Sequence, residues 1–197
     1  MSISAISSAT APNFKGKMVT TDNGTEYYKT NNGLKVGATY GGIGVLASFM
    51  PYTDTGKIGA LIGLGVHSGI GAYIDYKRNQ HAAEAADYIR KVGVKNAVLT
   101  REDIELNDNN KPYYKSKDGG KYGTIIGAAM GAIIGLFPTA MMATIGMSGL
   151  KRGKDKLAVA GSSVLLFALS TGLMALGGFI MGKITDYFTN RAARKHA

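Results

Sequence analysis

The side chains that could carry out chemistry are few and widely separated. The three histidines, His67, His81 and His196, lie far apart and lack carboxylate or thiol companions at metal-ligand spacing. The 197-residue chain contains no cysteine, which excludes disulfides, thiolate metal sites and a cysteine nucleophile. Its glycine-rich stretches lack the GKS/T ending of a phosphate-binding loop, and no nucleophile motif surrounds a serine. We therefore expect no enzyme, no metal and no cofactor.

One titratable side chain, His67, lies inside an apolar segment. A histidine at membrane depth could line a wet path or respond to pH. Alternatively, a neutral imidazole there only forms a hydrogen bond with a facing helix. His67 is therefore a candidate intramembrane polar site, with the structural role as the alternative.

Four uncharged segments form the elements that must position these residues. The two segments in the second half, 122–150 and 157–182, contain 29 and 26 residues. Both exceed the roughly 20 residues that cross about 30 Å of hydrocarbon as a helix. The earlier segments, 36–53 and 58–74, contain 18 and 17 residues and lie at the lower limit. The sequence thus predicts an all-α membrane protein with four transmembrane helices; buried helices of a soluble protein are the alternative.

A shift of the sequence by 86 positions indicates an internal repeat. Residues 21–42 then align with 107–128, with nine identities. At the far end of each copy, Asp75 and Asn79 recur as Asp186 and Asn190. Each copy is predicted to be a transmembrane helical hairpin. Two copies that each cross twice would be parallel, related by an axis along the membrane normal.

A short β-hairpin is predicted before the first helix of each copy. The sequences DNG at 22–24 and DNN at 108–110 separate β-favouring segments and are typical of a primed hairpin turn. Pro112 would restrict its strand to an edge position. The predicted strand pairs are 17–21 with 25–30 and 104–107 with 111–116.

The chain divides into four parts on this pattern. The first part is a flexible tail at 1–16, which does not resemble a secretory signal. The first repeat at 17–80 has helices at about 36–51 and 57–76, and a polar helical connector follows at 81–103. The second repeat at 104–197 has helices at about 121–149 and 156–186 and ends in a basic tail. In the connector, Thr100 and Asp103 have the spacing of a capping box, which predicts the start of another short helix.

Glycine recurs at every fourth residue in the predicted helices. The longest series is Gly123, Gly127, Gly131 and Gly135, and shorter series are Gly37 with Gly41 and Gly59 with Gly63. Such a face has no side chains to hold a neighbouring helix away. The pattern resembles the glycine zipper of several unrelated membrane proteins, including channels and membrane-inserting toxins. The partner helix can belong to the same hairpin or to a second chain, so a homo-oligomer remains an alternative.

Tyrosines and lysines flank the predicted membrane entries. They are Tyr27, Tyr28, Tyr113, Tyr114, Lys35 and Lys121. Amphipathic rings favour the headgroup level, which predicts a membrane-interface role. The alternative is that the tyrosines stack on a ligand.

The formal net charge of +10 indicates anionic partners. Because the basic residues flank long apolar segments, anionic lipid headgroups are the expected partners of the basic loops and tail, rather than nucleic acid. The tails and central segment hold 18 of the 23 Lys and Arg residues. This favours a bacterial inner membrane with both termini cytoplasmic, although the basic loop at 151–156 disagrees.

The predicted function is that of a non-enzymatic multi-pass membrane protein, either a scaffold or a narrow oligomeric pore in the lipid bilayer. One alternative is a holin- or toxin-like protein that permeabilises membranes. Another is a membrane-anchored module whose connector binds a partner.

Overall fold

The computed structural model describes residues 16–48, 54–148, 150 and 153–196. Over these residues the chain forms five helices and two pairs of strands. In chain order they are β1 (Lys17–Thr20), β2 (Glu26–Lys29), α1 (Asn32–Ser48), α2 (Asp54–Val92), α3 (Val94–Thr100), β3 (Ile104–Leu106), β4 (Pro112–Tyr114), α4 (Gly119–Ser148) and α5 (Gly153–His196). The order hairpin, helix, helix therefore occurs twice, with α3 between the two units.

Both predicted β-hairpins are confirmed. Strand β1 pairs antiparallel with β2, so that Val19 lies opposite Tyr27. Strand β3 pairs antiparallel with β4, so that Glu105 lies opposite Tyr113. Each sheet has only these two strands, which leaves Pro112 in the edge position that its missing N–H requires.

The hairpin turns differ from the predicted primed type. The Gly24 N–H donates to the Thr21 carbonyl at 2.9 Å, and the Asn110 N–H donates to the Asn107 carbonyl at 3.0 Å. Gly24 and Asn110 have positive φ values of 78° and 57°, whereas the residues before them do not. A primed turn needs positive φ at one or both of its central residues, and none of Asp22, Asn23, Asp108 and Asn109 has it, so that prediction was wrong. One left-handed residue closes a wider loop instead, at positions where glycine and asparagine tolerate that conformation.

The helices pack as two hairpins, α1 with α2 and α4 with α5. Helix α2 continues through the first part of the predicted connector and ends at Val92, before Gly93 with its φ of 83°. The predicted helix ends near 51 and 149 and most of the predicted tail at 1–16 lie outside the described residues.

No helix begins between Thr100 and β3, so the capping-box prediction was wrong. The Thr100 hydroxyl donates to the Asn96 carbonyl at 2.7 Å and so closes the end of α3. The Asp103 carboxylate accepts a hydrogen bond from Arg101 Nε at 2.9 Å. Asp103 therefore pairs with a guanidinium rather than with helix N–H groups, and the chain continues into β3.

Helices α4 and α5 are each long and apolar enough to span a membrane. Their most apolar stretches are only 18% and 11% buried within the protein. Large side chains such as Ile133, Leu165 and Leu173 are each at least 60% exposed. Helix α4 continues through Pro138.

Candidate functional site

Each helical hairpin is fixed at one end by a carboxylate from its second helix. Asp75 on α2 accepts hydrogen bonds from the backbone N–H groups of Gly33 and Leu34, at 2.9 and 2.8 Å. Helix α1 has no acidic residue in its own first turn. Asp75 therefore satisfies free N–H groups at the start of α1 and places a negative charge at the positive end of its dipole.

Asp186 on α5 does the same for α4. It accepts from the Gly119 N–H at 2.9 Å and from the Ser116 hydroxyl. Helix α4 also lacks an acidic residue in its first turn. Both first helices thus begin on a carboxylate that is distant in sequence.

An asparagine one helical turn after each aspartate holds the incoming chain. Asn79 accepts from the Thr30 N–H and donates to the Thr30 carbonyl, both at 2.9 Å. Asn190 accepts from the Ser116 N–H at 2.9 Å and donates to the Ser116 carbonyl at 2.8 Å. Each amide therefore closes a ring of two hydrogen bonds with one backbone residue.

Glycines allow the paired helices to approach closely at these ends. A Cβ atom at Gly71 would overlap the carbonyl oxygen of Gly33. A Cβ atom at Gly182 would likewise overlap the carbonyl of Gly119. Backbone touches backbone here, so any side chain would push the helices apart.

Six of the eight predicted packing glycines face a helix of the same chain. Gly37 and Gly41 face α2, and Gly123, Gly127, Gly131 and Gly135 face α5. Around Gly59 and Gly63, the described part of the chain places nothing within 4 Å of an added Cβ. Close packing by glycine is therefore present in both hairpins, whereas Gly59 and Gly63 on α2 are not covered by any described part of the chain.

Arg78 on α2 reaches across to the second hairpin. Its Nη1 lies 3.4 Å from the Thr185 carbonyl oxygen, and its Nη2 lies 3.4 Å from Asn190 Oδ1 and 3.9 Å from Asp186. The Arg78 side chain is 3% exposed, and its buried Nε has no hydrogen-bond partner among the residues that the structure describes. Burial lowers the pKa of Arg78 to about 10, which leaves it a cation at neutral pH.

Helix α5 makes the reciprocal contact with the first hairpin. Thr189 Oγ1 accepts a hydrogen bond from Asn32 Nδ2 at 2.8 Å and lies 3.4 Å from the Thr30 hydroxyl. Thr189 follows Arg78 by 111 positions, the same spacing that separates Asp75 from Asp186. We use the term junction for the buried polar contacts that α2 and α5 make with each other and with the starts of α1 and α4.

A cavity of about 190 Å³ lies beside the junction, between the two β-hairpins. Each hairpin contributes a tyrosine pair to it, namely Tyr27, Tyr28, Tyr113 and Tyr114. Arg78 lines the cavity, as do the buried alanines Ala82 and Ala193. Burial raises the pKa of Tyr114 to about 12, so its hydroxyl stays neutral.

The remaining predicted site residues lie away from this cavity. His67 contacts the Gly63 carbonyl of its own helix at 2.6 Å, and its ring packs against that of Tyr40 with centroids 5.2 Å apart. Lys121 is exposed and Lys35 is partly buried, each in the first turns of its helix. These residues stay predictions, since their contacts are compatible with a structural or a membrane-interface role.

Sequence reasoning missed a second polar contact between the hairpins. His81 Nε2 on α2 lies 2.7 Å from the Tyr122 hydroxyl on α4, and His81 Nδ1 lies 3.2 Å from Glu84. The signal was Glu84, one helical turn after His81, which gives the imidazole a carboxylate companion. Within the described ranges, no three His, Asp or Glu side chains gather as metal ligands.

Comparisons of the chain with known protein families, with characterised proteins and with solved structures give no match.

Proposed function

We propose that this chain is a non-enzymatic integral membrane protein in which four membrane helices, arranged as two tandem hairpins, form a scaffold. One observation carries the proposal, namely the exposed apolar surface of α4 and α5. Ile133 on α4 is 64% exposed, and Leu169 and Leu173 on α5 are 53% and 67% exposed. In water this surface would drive aggregation, whereas hydrocarbon solvates it at no cost.

The two hairpins are proposed to be copies of one unit. Their first parts correspond at a spacing of 86 residues and their second helices at a spacing of 111. At these spacings Asp75 matches Asp186, and both accept hydrogen bonds at the start of the partner helix. Gly24 likewise matches Asn110, and both have positive φ. Equivalent residues with equivalent contacts support a duplicated hairpin with parallel orientation.

Glycine packing is the proposed basis of assembly. The backbone contacts of Gly123 with Gly178 support a zipper inside the second hairpin. The uncovered Gly59 and Gly63 support self-association of the scaffold through α2. Anionic lipid headgroups are the proposed partners of the basic residues around the junction, with Lys121 and Arg191 exposed there. The proposed location is a bacterial inner membrane, with both termini cytoplasmic.

Membrane fractionation tests the proposal. After lysis, we expect the full chain in the membrane pellet, resistant to alkaline carbonate and released only by detergent, because its apolar helices are solvated by lipid. Recovery of a detergent-free monomer in the supernatant would contradict the proposal.

A leakage assay separates a scaffold from a permeabilising protein. The purified chain is reconstituted into liposomes that contain a self-quenched dye. If the protein is a scaffold, the dye stays inside the liposomes even when the membrane contains a high density of folded protein. Release of the dye in proportion to the protein added would refute the scaffold and favour the holin- or toxin-like alternative.

A further inference from the structure

We infer that the cavity between the two β-hairpins binds a small ligand that combines one carboxylate with an apolar body about the size of an aromatic ring, and that Arg78 binds the carboxylate. This inference concerns the polar end of the molecule. It does not depend on how many helices cross the membrane.

The first step is the incomplete hydrogen bonding of Arg78. A guanidinium carries five N–H donors, and one that is buried is normally matched by acceptors at about 2.9 Å. The contacts of Arg78 with Thr185 and Asn190 are both 3.4 Å long, and Nε has none. A carboxylate that enters the cavity lined by Arg78 would provide two oxygens for the weakly matched donors of its guanidinium.

The charges around Arg78 favour a ligand with a single negative charge. The carboxylate nearest to Arg78 belongs to Asp186, 3.9 Å away, and its oxygens accept from Gly119 and Ser116. Asp75 is also committed, because it binds the start of α1. The positive ends of α1 and α4 offset part of these two negative charges. With about half a positive charge at each helix end, Arg78 brings the net charge of the junction close to zero, so a monocarboxylate meets less repulsion from the two aspartates than a phosphate dianion would.

The volume and the lining of the cavity favour an apolar body about the size of one aromatic ring. A cavity of about 150 Å³ lined by apolar side chains accepts benzene, so a volume of about 190 Å³ accommodates one ring with a short substituent. Ala82 and Ala193 leave this space open because their side chains are small. Tyrosines from both hairpins supply flat aromatic walls against which a ring can stack.

The fourth step is the difference between the two units at this place. The lining residues Tyr27 and Tyr113 correspond at the spacing of 86, and Ala82 and Ala193 correspond at the spacing of 111. At the position of Arg78, however, the second unit has Thr189. The cavity is therefore nearly symmetric in its apolar walls and carries a buried cation on one side only. A ligand with one charged end and one apolar end matches that asymmetry.

The test is calorimetric titration of the purified full-length chain in detergent. The probes are benzoate, its uncharged analogue benzamide, and octanoate, which tests whether an acyl chain is the apolar body instead. We expect saturable binding of benzoate, with benzamide and octanoate each at least about tenfold weaker, since benzamide lacks the charge and octanoate exceeds the cavity.

Three variants locate the site. Arg78→Gln removes the cation and should weaken benzoate binding about tenfold or more. Ala82→Leu fills the cavity without touching the charge and should abolish binding, and it remains informative if Arg78→Gln fails to fold. Lys91→Gln, an exposed cation on the same helix, is the matched control and should bind benzoate like the unaltered chain.

Three results would overturn the inference that this cavity binds a carboxylate through Arg78. They are the absence of saturable benzoate binding, equal affinity for benzoate and benzamide, and an equal loss of binding in Lys91→Gln and Arg78→Gln. Octanoate binding tighter than benzoate would also overturn the ring-sized ligand and indicate a lipid-derived carboxylate.

Discussion

At the scale of single residues, the aspartates of the junction act as helix caps supplied from a distance. Asp75 lies 42 residues from Gly33, and Asp186 lies 67 residues from Gly119. A local cap stabilises only its own helix, whereas these carboxylates also tie the two helices of a hairpin together at one end. We therefore expect them to matter more than a surface cap does.

Replacing Asp186 with alanine tests this expectation. The change leaves the Gly119 N–H and the Ser116 hydroxyl buried without their acceptor, so we expect a loss of about 2 kcal/mol in the free energy of unfolding. Denaturant unfolding in mild detergent, followed by circular dichroism, measures the loss. The control is Glu102→Ala, since Glu102 is almost fully exposed and its pairing with Lys117 should contribute less than about 1 kcal/mol. Equal effects of the two changes would contradict the capping role.

The recurrence of Asp75 and Asn79 as Asp186 and Asn190 is visible in the sequence, but their role as caps is not. Rules for helix starts look for a capping side chain within a few residues of the first turn. Here the acceptors arrive from the other helix, so the information lies in tertiary contacts. Two helices without an acidic residue in their first turn, together with a recurring Asp and Asn at helical spacing, were the available signal.

At the scale of elements, the paired helices are specified by which glycines face the neighbour. Gly178 lies against Gly123, where an added Cβ would overlap a carbonyl oxygen. The adjacent Gly177 has nothing within 4 Å of an added Cβ. The same substitution at these two neighbouring positions should therefore have opposite effects.

Gly178→Ala should destabilise the second hairpin by about 1–3 kcal/mol, because α4 and α5 must move apart. Gly177→Ala should stabilise it by up to about 1 kcal/mol, because alanine loses less backbone entropy in a helix. Thermal unfolding of both variants in the same detergent compares the signs. A loss of similar size in both would mean that α5 packs in a different rotation from the one described.

The elements themselves were largely predictable, since their determinants are local. Alternating β-favouring residues around DNG and DNN predicted both strand pairs, and the apolar segments predicted α4 and α5. The turn type was missed because the DNG and DNN sequences also fit a wider loop with one left-handed residue. The cavity was not predictable, since it forms only where hairpins 86 residues apart meet across two helices.

At the scale of the whole molecule, the two hairpins differ in length although both begin at the junction. Helix α1 has 17 residues and α4 has 30, or about 25 Å and 45 Å at 1.5 Å per residue. Of these two helices, only α4 exceeds the roughly 30 Å of a bilayer core. Helix α1, at about 25 Å, can still cross if the bilayer thins locally or flanking lysines extend toward the interface.

Cysteine accessibility decides between two and four crossings. The natural chain has no cysteine, so single cysteines at Thr55, Asn96, Asp155 and His196 can be labelled without background. In right-side-out and inverted vesicles, four crossings place Thr55 and Asp155 together on the face opposite Asn96 and His196. We expect that result, because the buried contacts of Arg78 and Thr189 hold the starts of both hairpins at one level.

Labelling of Thr55 on the same face as Asn96, with Asp155 alone on the other, would reduce the protein to one transmembrane hairpin. The first hairpin would then lie within or at one leaflet. The junction would keep its hydrogen bonds in that arrangement, since Asp75 and Asp186 act at the polar end of each hairpin. The labelling of Thr55 thus tests whether the first hairpin spans the membrane, independently of the junction. The 17 residues of α1 are short for a bilayer, and this shortness affects how the helix fits the membrane but not the polar contacts.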